Sequence, residues 1–167
     1  MKPFRFCPAC GARLDEPDFE GGTSCPRCKR SWYRNPAPTA ACAILRDGKV
    51  LVTRRAREPE KDRFDLPGGF LRYNEDPITG VKREVREELG VEVDVYDSDF
   101  VQAVPHPYGH EDEWVLAMGF LARSISGTPH PNDDVAEAVW ISEDEIGDID
   151  FAWGHDRELV RKAFEHG

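Results

Sequence analysis

Residues 69–91 read GFLRYNEDPITGVKREVREELGV, and this segment decides the fold. Three of its glutamates, Glu84, Glu87 and Glu88, are spaced at i, i+3 and i+4, so one side of a helix presents them together. Carboxylates this close repel each other unless a cation lies among them, and magnesium prefers such oxygen ligands. The spacing therefore predicts a helix that carries a divalent-cation site.

The limits of this helix follow from its end residues. Asp76 is a suitable N-cap, Pro77 a suitable first residue and Gly90 a suitable stop, which predicts about thirteen helical residues. At about 100° per residue, four apolar side chains fall on one face and are expected to pack on the core. They are Ile78, Val81, Val85 and Leu89.

The three glutamates differ in their position relative to that apolar face. Glu84 and Glu88 lie just beside it, whereas Glu87 lies farther round the helix. We therefore expect Glu84 and Glu88 at the edge of a cleft and Glu87 nearer to solvent.

The whole segment resembles the Nudix box, because it matches Gly-x5-Glu-x7-Arg-Glu-Val-x-Glu-Glu-Leu-Gly-Val at every defining position from Gly69 to Val91. The resemblance implies a phosphoanhydride hydrolase that depends on Mg²⁺ or Mn²⁺. It also implies that Glu75 and Arg83 complete the catalytic set by holding the metal-binding carboxylates in place. The implied metal ligands are the carboxylates of Glu84, Glu87 and Glu88 and the backbone carbonyl of Gly69.

Hydrolysis of a diphosphate sets three tasks for the site. A catalyst must neutralise the negative charge that repels nucleophiles, orient a water molecule and deprotonate it. Carboxylate-held metal ions perform the first two tasks, and a carboxylate performs the third. The proton acceptor stays open between the box itself and later acidic residues, namely Glu111, Asp112, Glu113 and Glu137.

Four of the five cysteines form two Cys-x-x-Cys pairs, Cys7/Cys10 and Cys25/Cys28, with fourteen residues between the pairs. Two such pairs supply four thiolates to a tetrahedral zinc and leave no open position, so we expect a structural zinc ribbon. Redox-active Cys-x-x-Cys pairs and disulfides are the alternatives. The sequence around the cysteines lacks the strand-helix pattern that surrounds a redox-active pair. Disulfides are rare in the cytoplasm, which is the expected location of this protein. Cys42 lies in an apolar stretch and is expected in the core.

The rest of the chain predicts a ribbon over 1–34 and a hydrolase domain over 35–167, joined by a proline-containing linker. Outside the box, apolar patterning predicts strands at 39–46, 49–55, 91–104, 114–123 and 135–141. It also predicts helices at 142–146 and 155–165. This order favours an α/β (α+β) fold with a mixed sheet sandwiched between helices, and the resemblance to the Nudix box implies that this fold is of the Nudix type.

The composition, 40% hydrophobic and 32% charged among 167 residues, fits a soluble globular protein. With neither a membrane-length apolar run nor a secretory signal in the sequence, we expect a cytoplasmic protein without membrane contact. Residues 1–90 carry 18 Lys/Arg against 14 Asp/Glu, and residues 91–167 carry 4 against 18. Basic residues around the box suit a small anionic substrate, whereas the net charge of −10 argues against nucleic-acid binding.

A ribbon followed directly by the box resembles the NADH pyrophosphatase branch. That branch carries Ser-Gln-Pro-Trp-Pro-Phe-Pro-x-Ser downstream, and residues 102–110 share only scattered prolines with it. Pro107, sixteen residues past Val91, matches the ADP-ribose group, while Tyr108 matches the diadenosine polyphosphate group. We rank ADP-ribose or another nucleoside diphosphate sugar first, NAD(H) second and dinucleoside polyphosphates third.

Three residues are candidates for substrate binding: Tyr108, which can stack on an adenine or ribose, Phe70 next to the box glycine, and Arg54. Trp114 at a strand start is expected in the core, and residues 102–113 are expected to form a loop.

Two other classes of protein remain open. The chain is alternatively a non-catalytic nucleotide-binding or sensing protein that keeps the fold. The third class is a ribbon module that binds a protein or nucleic-acid partner, using Lys29, Arg30 and Arg34. Whether the chain is a hydrolase or a sensing protein, the ribbon can support a homodimer or cap the substrate cleft.

Overall fold

The computed structural model describes residues 4–166, apart from the side chains of Glu111 and Asp112. No helix in this described range is long and apolar enough to span a membrane. Short 3-10 turns occupy Asp97–Asp99 and Glu143–Gly147. The helices and strands are, in chain order, β1 (Gly22–Ser24), β2 (Ser31–Tyr33), β3 (Ala37–Arg46), β4 (Lys49–Arg55), β5 (Phe64–Asp65), β6 (Gly68–Phe70), α1 (Pro77–Leu89), β7 (Glu92–Asp94), β8 (Phe100–Tyr108), β9 (His110–Ala122), β10 (Ser124–Ser126), β11 (Val135–Ile141) and α2 (Gly154–Glu165).

The main sheet has seven strands, with the order β11-β4-β3-β9-β8, and β5 and β6 pair with β4 and β3. β3 and β9 run parallel, in a register that extends from Ala37 opposite Val115 to Ile44 opposite Ala122. The other pairs in this sheet are antiparallel. The mixed sheet predicted from the sequence is therefore confirmed.

The sheet has a buried core on each face because the apolar residues of its central strands alternate in direction. Cys42, Ile44 and Leu51 pack with the apolar side of α1, as part of one buried cluster. Ala43, Val50 and Val52 point the other way and pack with residues of α2. The two helices thus cover opposite faces, as the strand-helix order predicted.

The limits of α1 agree with the sequence prediction. Asp76 is the N-cap, and its side chain accepts a hydrogen bond from the Thr79 backbone N–H at 3.0 Å. Gly90 ends the helix in the left-handed region, with φ of 67°, a conformation that favours glycine.

Two segments differ from the sequence prediction. The strand predicted at 91–104 is two strands, because a turn at Tyr96–Asp99 interrupts it, with Asp99 accepting from the Tyr96 N–H at 2.8 Å. The loop predicted at 102–113 is instead the hairpin of β8 and β9, which turns at Gly109. Prolines suggested a loop, but β8 is an edge strand, where missing N–H donors are tolerated.

Two predictions about single residues have opposite outcomes. Cys42 is fully buried, as expected. Trp114 is 41% exposed, so its expected place in the core is wrong. Trp114 lies on β9, directly opposite Pro107 of the edge strand β8.

Candidate active site

Two glycines of the box loop (residues 66–70) stand where side chains would collide, Gly68 against strand β3 and Gly69 against helix α1. A Cβ at Gly68 would lie 2.3 Å from the carbonyl oxygen of Ala40, and one at Gly69 would lie 2.7 Å from Oε1 of Glu84. The Gly68 N–H donates to Oε2 of Glu88 at 3.0 Å. The loop backbone and two helix carboxylates therefore meet at one point.

Replacing Gly69 with alanine should displace the Glu84 carboxylate, because the added methyl group would overlap it. We expect divalent-cation affinity to fall by about 10- to 100-fold, as when other groups that orient metal ligands are lost. Titration with Mn²⁺, followed by its electron paramagnetic resonance signal, measures this change. Gly147→Ala is the matched control, because its Cβ would meet nothing within 4 Å; equal affinities in the two variants would contradict the expectation.

Arg83 holds three box carboxylates at once. Its Nε and Nη2 donate to the two oxygens of Glu75, both at 2.7 Å, and its Nη1 donates to Glu84 at 2.6 Å and to Glu87 at 3.0 Å. Nη2 also donates to the carbonyl oxygen of Phe70 at 3.1 Å, which ties the helix to the box loop. The bond from Arg83 lowers the pKa of Glu75 to about 2, so Glu75 stays ionised.

The negative charges of Glu84 and Glu88 are less well compensated than that of Glu75. Burial raises the pKa of Glu88 well above its ordinary value, and the negative charges of Asp65 and Asp134 add to this effect. Burial also raises the pKa of Glu84, although Arg83 opposes the shift. A bound divalent cation would offset this repulsion, so the donor set fits a hard cation such as Mg²⁺.

A pocket of about 240 Å³ adjoins these carboxylates. Five of the residues predicted from the sequence line it: Gly69, Phe70, Glu84, Glu88 and Tyr108. The Phe70 and Tyr108 rings meet edge to face, with centroids 5.3 Å apart.

Three other predicted residues lie outside the pocket wall, although the structure keeps them close to it. Glu75 and Arg83 form the hydrogen-bonded support described above. Glu87 is exposed, as the helix geometry predicted, and binds Arg72 at 2.8 Å. Its expected contribution to the metal site therefore stays a prediction.

Arg54 does not line the pocket, and its predicted contact with the substrate stays a prediction. Its guanidinium pairs with Glu137 at 2.9 Å, and the next residue, Arg55, faces the pocket instead. Successive side chains of a strand point to opposite faces, so one of these two arginines faces the pocket and the other faces away from it. Arg55 pairs with Asp65 at 2.6 Å and lies over the Trp153 ring.

A second wall of the pocket comes from the first turn of α2, which the sequence analysis did not place at the site. It contributes Trp153, His155 and Asp156. Hydrogen bonds from the Phe64 N–H to Asp150 and from the Ala152 N–H to Phe64, at 2.9 and 2.7 Å, fix the segment before the helix. No local pattern reveals this placement, since it depends on how α2 packs on the sheet.

Rings from β8 join this wall. The Tyr108 and Trp153 rings are nearly parallel, with centroids 5.5 Å apart. The rings of His106 and His155 are 4.3 Å apart. His106, which lies in the segment 102–113 that was expected to form a loop, is half-buried on a strand and lines the pocket.

The proton acceptor has different candidates in the structure. Glu137 lies on β11 and forms an ion pair with Arg54 of β4, and Glu113 is exposed. The side chains at 111–112 lie outside the described part of the chain. Asp65 and Asp134, which the sequence analysis did not single out, do line the pocket.

The four paired cysteines form a separate cluster whose ligand atoms all lie within 4.8 Å of one another. Sγ atoms are 3.6 Å apart in the pairs Cys7/Cys28 and Cys10/Cys25, close to the about 3.8 Å that four Zn–S bonds of about 2.3 Å impose. The buried cluster in this part of the chain consists of Leu14 and two of the cysteines, Cys7 and Cys25. So small a core favours stabilisation by a metal.

Comparison with known proteins agrees with this geometry. Residues 36–163 match the family model described as NUDIX domain. The ADP-ribose pyrophosphatase of Methanocaldococcus jannaschii is 31% identical over 134 residues, which are 79% of this chain and 75% of that protein. The NAD-capped RNA hydrolase NudC of Pseudomonas aeruginosa is 34% identical over 149 residues, 85% of this chain.

This chain spans about half the length of that NudC relative, since it covers 49% of it. The crystal structure of a Nudix hydrolase from Nitrosomonas europaea superposes with a TM-score of 0.74 at 24% identity, covering 98% of this chain and 92% of the other, and this agreement concerns the fold. The family-model match and the archaeal relative show that the chain belongs to the Nudix family.

Proposed function

We propose that this protein hydrolyses the phosphoanhydride bond of a nucleoside diphosphate derivative with the help of Mg²⁺ or Mn²⁺. ADP-ribose or another nucleoside diphosphate sugar is the first candidate substrate, and NAD(H) is the second. The observation that carries the proposal is the shared pocket wall of Glu84, Glu88, Arg55 and Tyr108. It combines groups for a cation, a phosphate and a ring within one cavity.

Each group has a role that its chemistry supports. Glu84 and Glu88, together with Glu87 and the Gly69 carbonyl, would hold the metal ions, which neutralise diphosphate charge and lower the pKa of a bound water. Arg83 orients the carboxylates. Arg55 offers positive charge to a phosphate, as an arginine fork suits such oxygens.

The order of substrates rests on size and on the relatives. The cavity of about 240 Å³ is below the about 300–1,000 Å³ of typical ligand pockets, so it would enclose one half of a dinucleotide. Two relatives are named for ADP-ribose and NAD-capped RNA. Both names denote substrates that contain a diphosphate linkage next to an adenosine.

A substrate panel tests the proposal directly. The purified, zinc-loaded protein is incubated with Mg²⁺ and ADP-ribose, NADH, NAD, nucleoside diphosphate sugars, diadenosine polyphosphates or NAD-capped RNA, and the products are identified by mass spectrometry. We expect a nucleoside monophosphate from ADP-ribose. Binding of a nucleotide without cleavage of any compound would overturn catalysis and favour a sensing protein.

Tyr108→Ala should raise KM more than it lowers kcat, because its ring lines the pocket and would contact the enclosed half of the substrate rather than the reacting atoms. Loss of one aromatic contact predicts a rise in KM of about 5- to 10-fold. Tyr96→Ala is the control, since Tyr96 is exposed away from the pocket. Unchanged Michaelis kinetics in Tyr108→Ala would remove this ring from the site.

The division into a ribbon over 1–34 and a hydrolase domain over 35–167 is part of the same proposal. A separate β1-β2 sheet and the start of β3 at Ala37 support it. We assign the ribbon a structural zinc and, as a further hypothesis, a role in homodimer formation, which sedimentation analysis of wild-type protein would test.

A further inference from the structure

Asp65 is a carboxylate in the pocket wall to which the proposed hydrolysis gives no role. It lies on β5, directly before the box loop, and its side chain is 15% exposed. A negative charge in a pocket for a diphosphate opposes binding of that substrate, because like charges repel. The presence of Asp65 therefore requires a function that outweighs this cost.

Strand geometry brings Asp65 together with two residues of β4. Thr53 lies directly opposite Asp65 in the β4-β5 pair, and Arg55, two residues after Thr53, points to the same face of the sheet. The Thr53 hydroxyl donates to Oδ1 of Asp65 at 2.6 Å, and Nη1 of Arg55 donates to Oδ2 at 2.6 Å. Because both of its oxygens accept these hydrogen bonds, Asp65 is poorly suited to take a proton from water or to bind a metal ion.

The guanidinium group of Arg55 is held from several sides. Besides the ion pair with Asp65, its Nε donates to the carbonyl oxygen of Pro59 at 2.8 Å. Its Cζ lies 4.8 Å from the centre of the Trp153 ring. A guanidinium group has five N–H donors, so these two hydrogen bonds leave further donors for a phosphate in the pocket.

The ion pair with Asp65 determines which way those remaining donors point. An arginine side chain has many rotamers, and a phosphate that must first select one of them is bound more weakly. The charges of Arg55 and Asp65 cancel, so the pair would attract a phosphate through directed N–H groups rather than through net charge. Donors that are already in position strengthen both substrate binding and transition-state stabilisation.

Asp65 also connects the arginine to the metal-binding end of the pocket. Gly68, three residues after Asp65, donates to Glu88 at 3.0 Å. One short segment therefore places the proposed phosphate-binding and metal-binding groups relative to each other.

We propose that Asp65 is a positioning residue that holds Arg55 with its remaining N–H donors directed at the substrate diphosphate. The inference rests on the proposed function, because it requires a phosphate in the pocket. It deepens that function by assigning what orients the arginine, and it makes Asp65 neither the proton acceptor nor a metal ligand.

Two substitutions of Asp65 test this role by steady-state hydrolysis of ADP-ribose at saturating Mg²⁺. Asp65→Ala should lower kcat/KM by about 10- to 100-fold, the cost of misplacing a positioned group by about 1 Å. Asp65→Asn keeps an oxygen that accepts from Arg55 and an amide that donates to Thr53, so its kcat/KM should stay within about 3-fold of wild-type protein. If Asp65 were the proton acceptor, asparagine would be as inactive as alanine, and that result would overturn the inference.

A double-mutant cycle shows whether Asp65 acts through Arg55. Arg55→Met should lose at least as much activity as Asp65→Ala. Adding Asp65→Ala to Arg55→Met should then change kcat/KM by less than about 2-fold, because the group that Asp65 positions is already gone. Losses that multiply in the double variant would show that Asp65 acts independently of Arg55 and would refute the proposal.

Asp150→Ala is the matched control. Asp150 also pairs with an arginine, Arg63 at 2.8 Å, but its side chain is 72% exposed and lies outside the pocket. This variant should keep the kcat/KM of wild-type protein. Thermal unfolding of each variant verifies that the compared proteins are folded.

Thr53→Val takes the place of Asp65→Ala if the alanine variant does not fold. Valine has nearly the shape of threonine but lacks the hydroxyl group that holds Oδ1 of Asp65. We expect kcat/KM to fall by about 3- to 10-fold, and to change little when Arg55→Met is already present. Equal activity of Thr53→Val and wild-type protein would then contradict the inference.

Binding of AMP and adenosine, measured by calorimetry without divalent cations, separates this inference from the hydrolase proposal. Wild-type protein should bind AMP at least about 10-fold more tightly than adenosine, and Asp65→Ala should lose most of this preference. Such a loss would support the inference even if ADP-ribose were not cleaved. Cleavage of ADP-ribose with equal kcat/KM in Asp65→Ala and wild-type protein would overturn the inference and leave the hydrolase proposal intact. If wild-type protein neither binds AMP nor cleaves ADP-ribose, both fail.

Discussion

Glu88→Gln is expected to lower kcat by about 10³-fold, because it removes a negative charge from the proposed metal site. Glu88 is 7% exposed, lines the pocket and accepts a hydrogen bond from the Gly68 N–H. Glutamine keeps an oxygen for that hydrogen bond, so the box loop should stay in place. The measurement is steady-state hydrolysis of ADP-ribose across a range of Mg²⁺ concentrations.

The same substitution should not destabilise the metal-free protein. A carboxyl group with a raised folded-state pKa opposes folding where it is ionised, and this destabilisation disappears as the pH falls through the folded pKa. A neutral glutamine removes it at all pH values. We therefore expect Glu88→Gln to unfold at a temperature equal to or above that of wild-type protein at neutral pH without divalent ions.

Glu92→Gln is the matched control for both measurements, because Glu92 is exposed and pairs with Arg86 outside the pocket. Its kcat should equal that of wild-type protein. Near-normal turnover in Glu88→Gln would exclude a ligand role for Glu88, and strong loss in both variants would indicate a general effect of charge removal.

Zinc removal is the second change with a large expected effect. We expect about one zinc per chain, and its loss should unfold the ribbon, because structural zinc contributes about 10–16 kcal/mol of apparent binding free energy in small zinc domains. The described apolar core of this part is too small to replace it. Mass spectrometry under native conditions gives the stoichiometry, and hydrogen exchange before and after chelation reports unfolding at 4–34.

Cys25→Ser should lower the zinc content of the purified protein, since it removes one of the four converging thiols. Cys42→Ala is the control, because Cys42 is buried in the main core and lies outside the cluster. The control should retain its zinc. A wild-type preparation that is fully folded and contains no zinc would contradict the assignment.

Local features made α1 predictable in detail. Its cap, its stop and its apolar face depend on residues within a few turns of one another, and they lie where the sequence indicates. The same periodicity distinguished Glu84 and Glu88, at the pocket, from the exposed Glu87. Strand prediction was weaker at 91–113, where proline content suggested a loop but pairing with β9 formed an edge strand.

Sequence by itself therefore determined the family, the mixed-sheet fold, the box helix with its acidic groups and the paired cysteines, because these depend on short-range spacing. Only the tertiary structure decided which distant residues share the pocket. The choice of Arg55 over Arg54 depends on the face that β4 turns toward the pocket, and the presence of His155 and Asp156 depends on how α2 packs on the sheet. Such contacts join residues far apart in the chain, and their geometry is fixed by strand register and core packing rather than by local pattern.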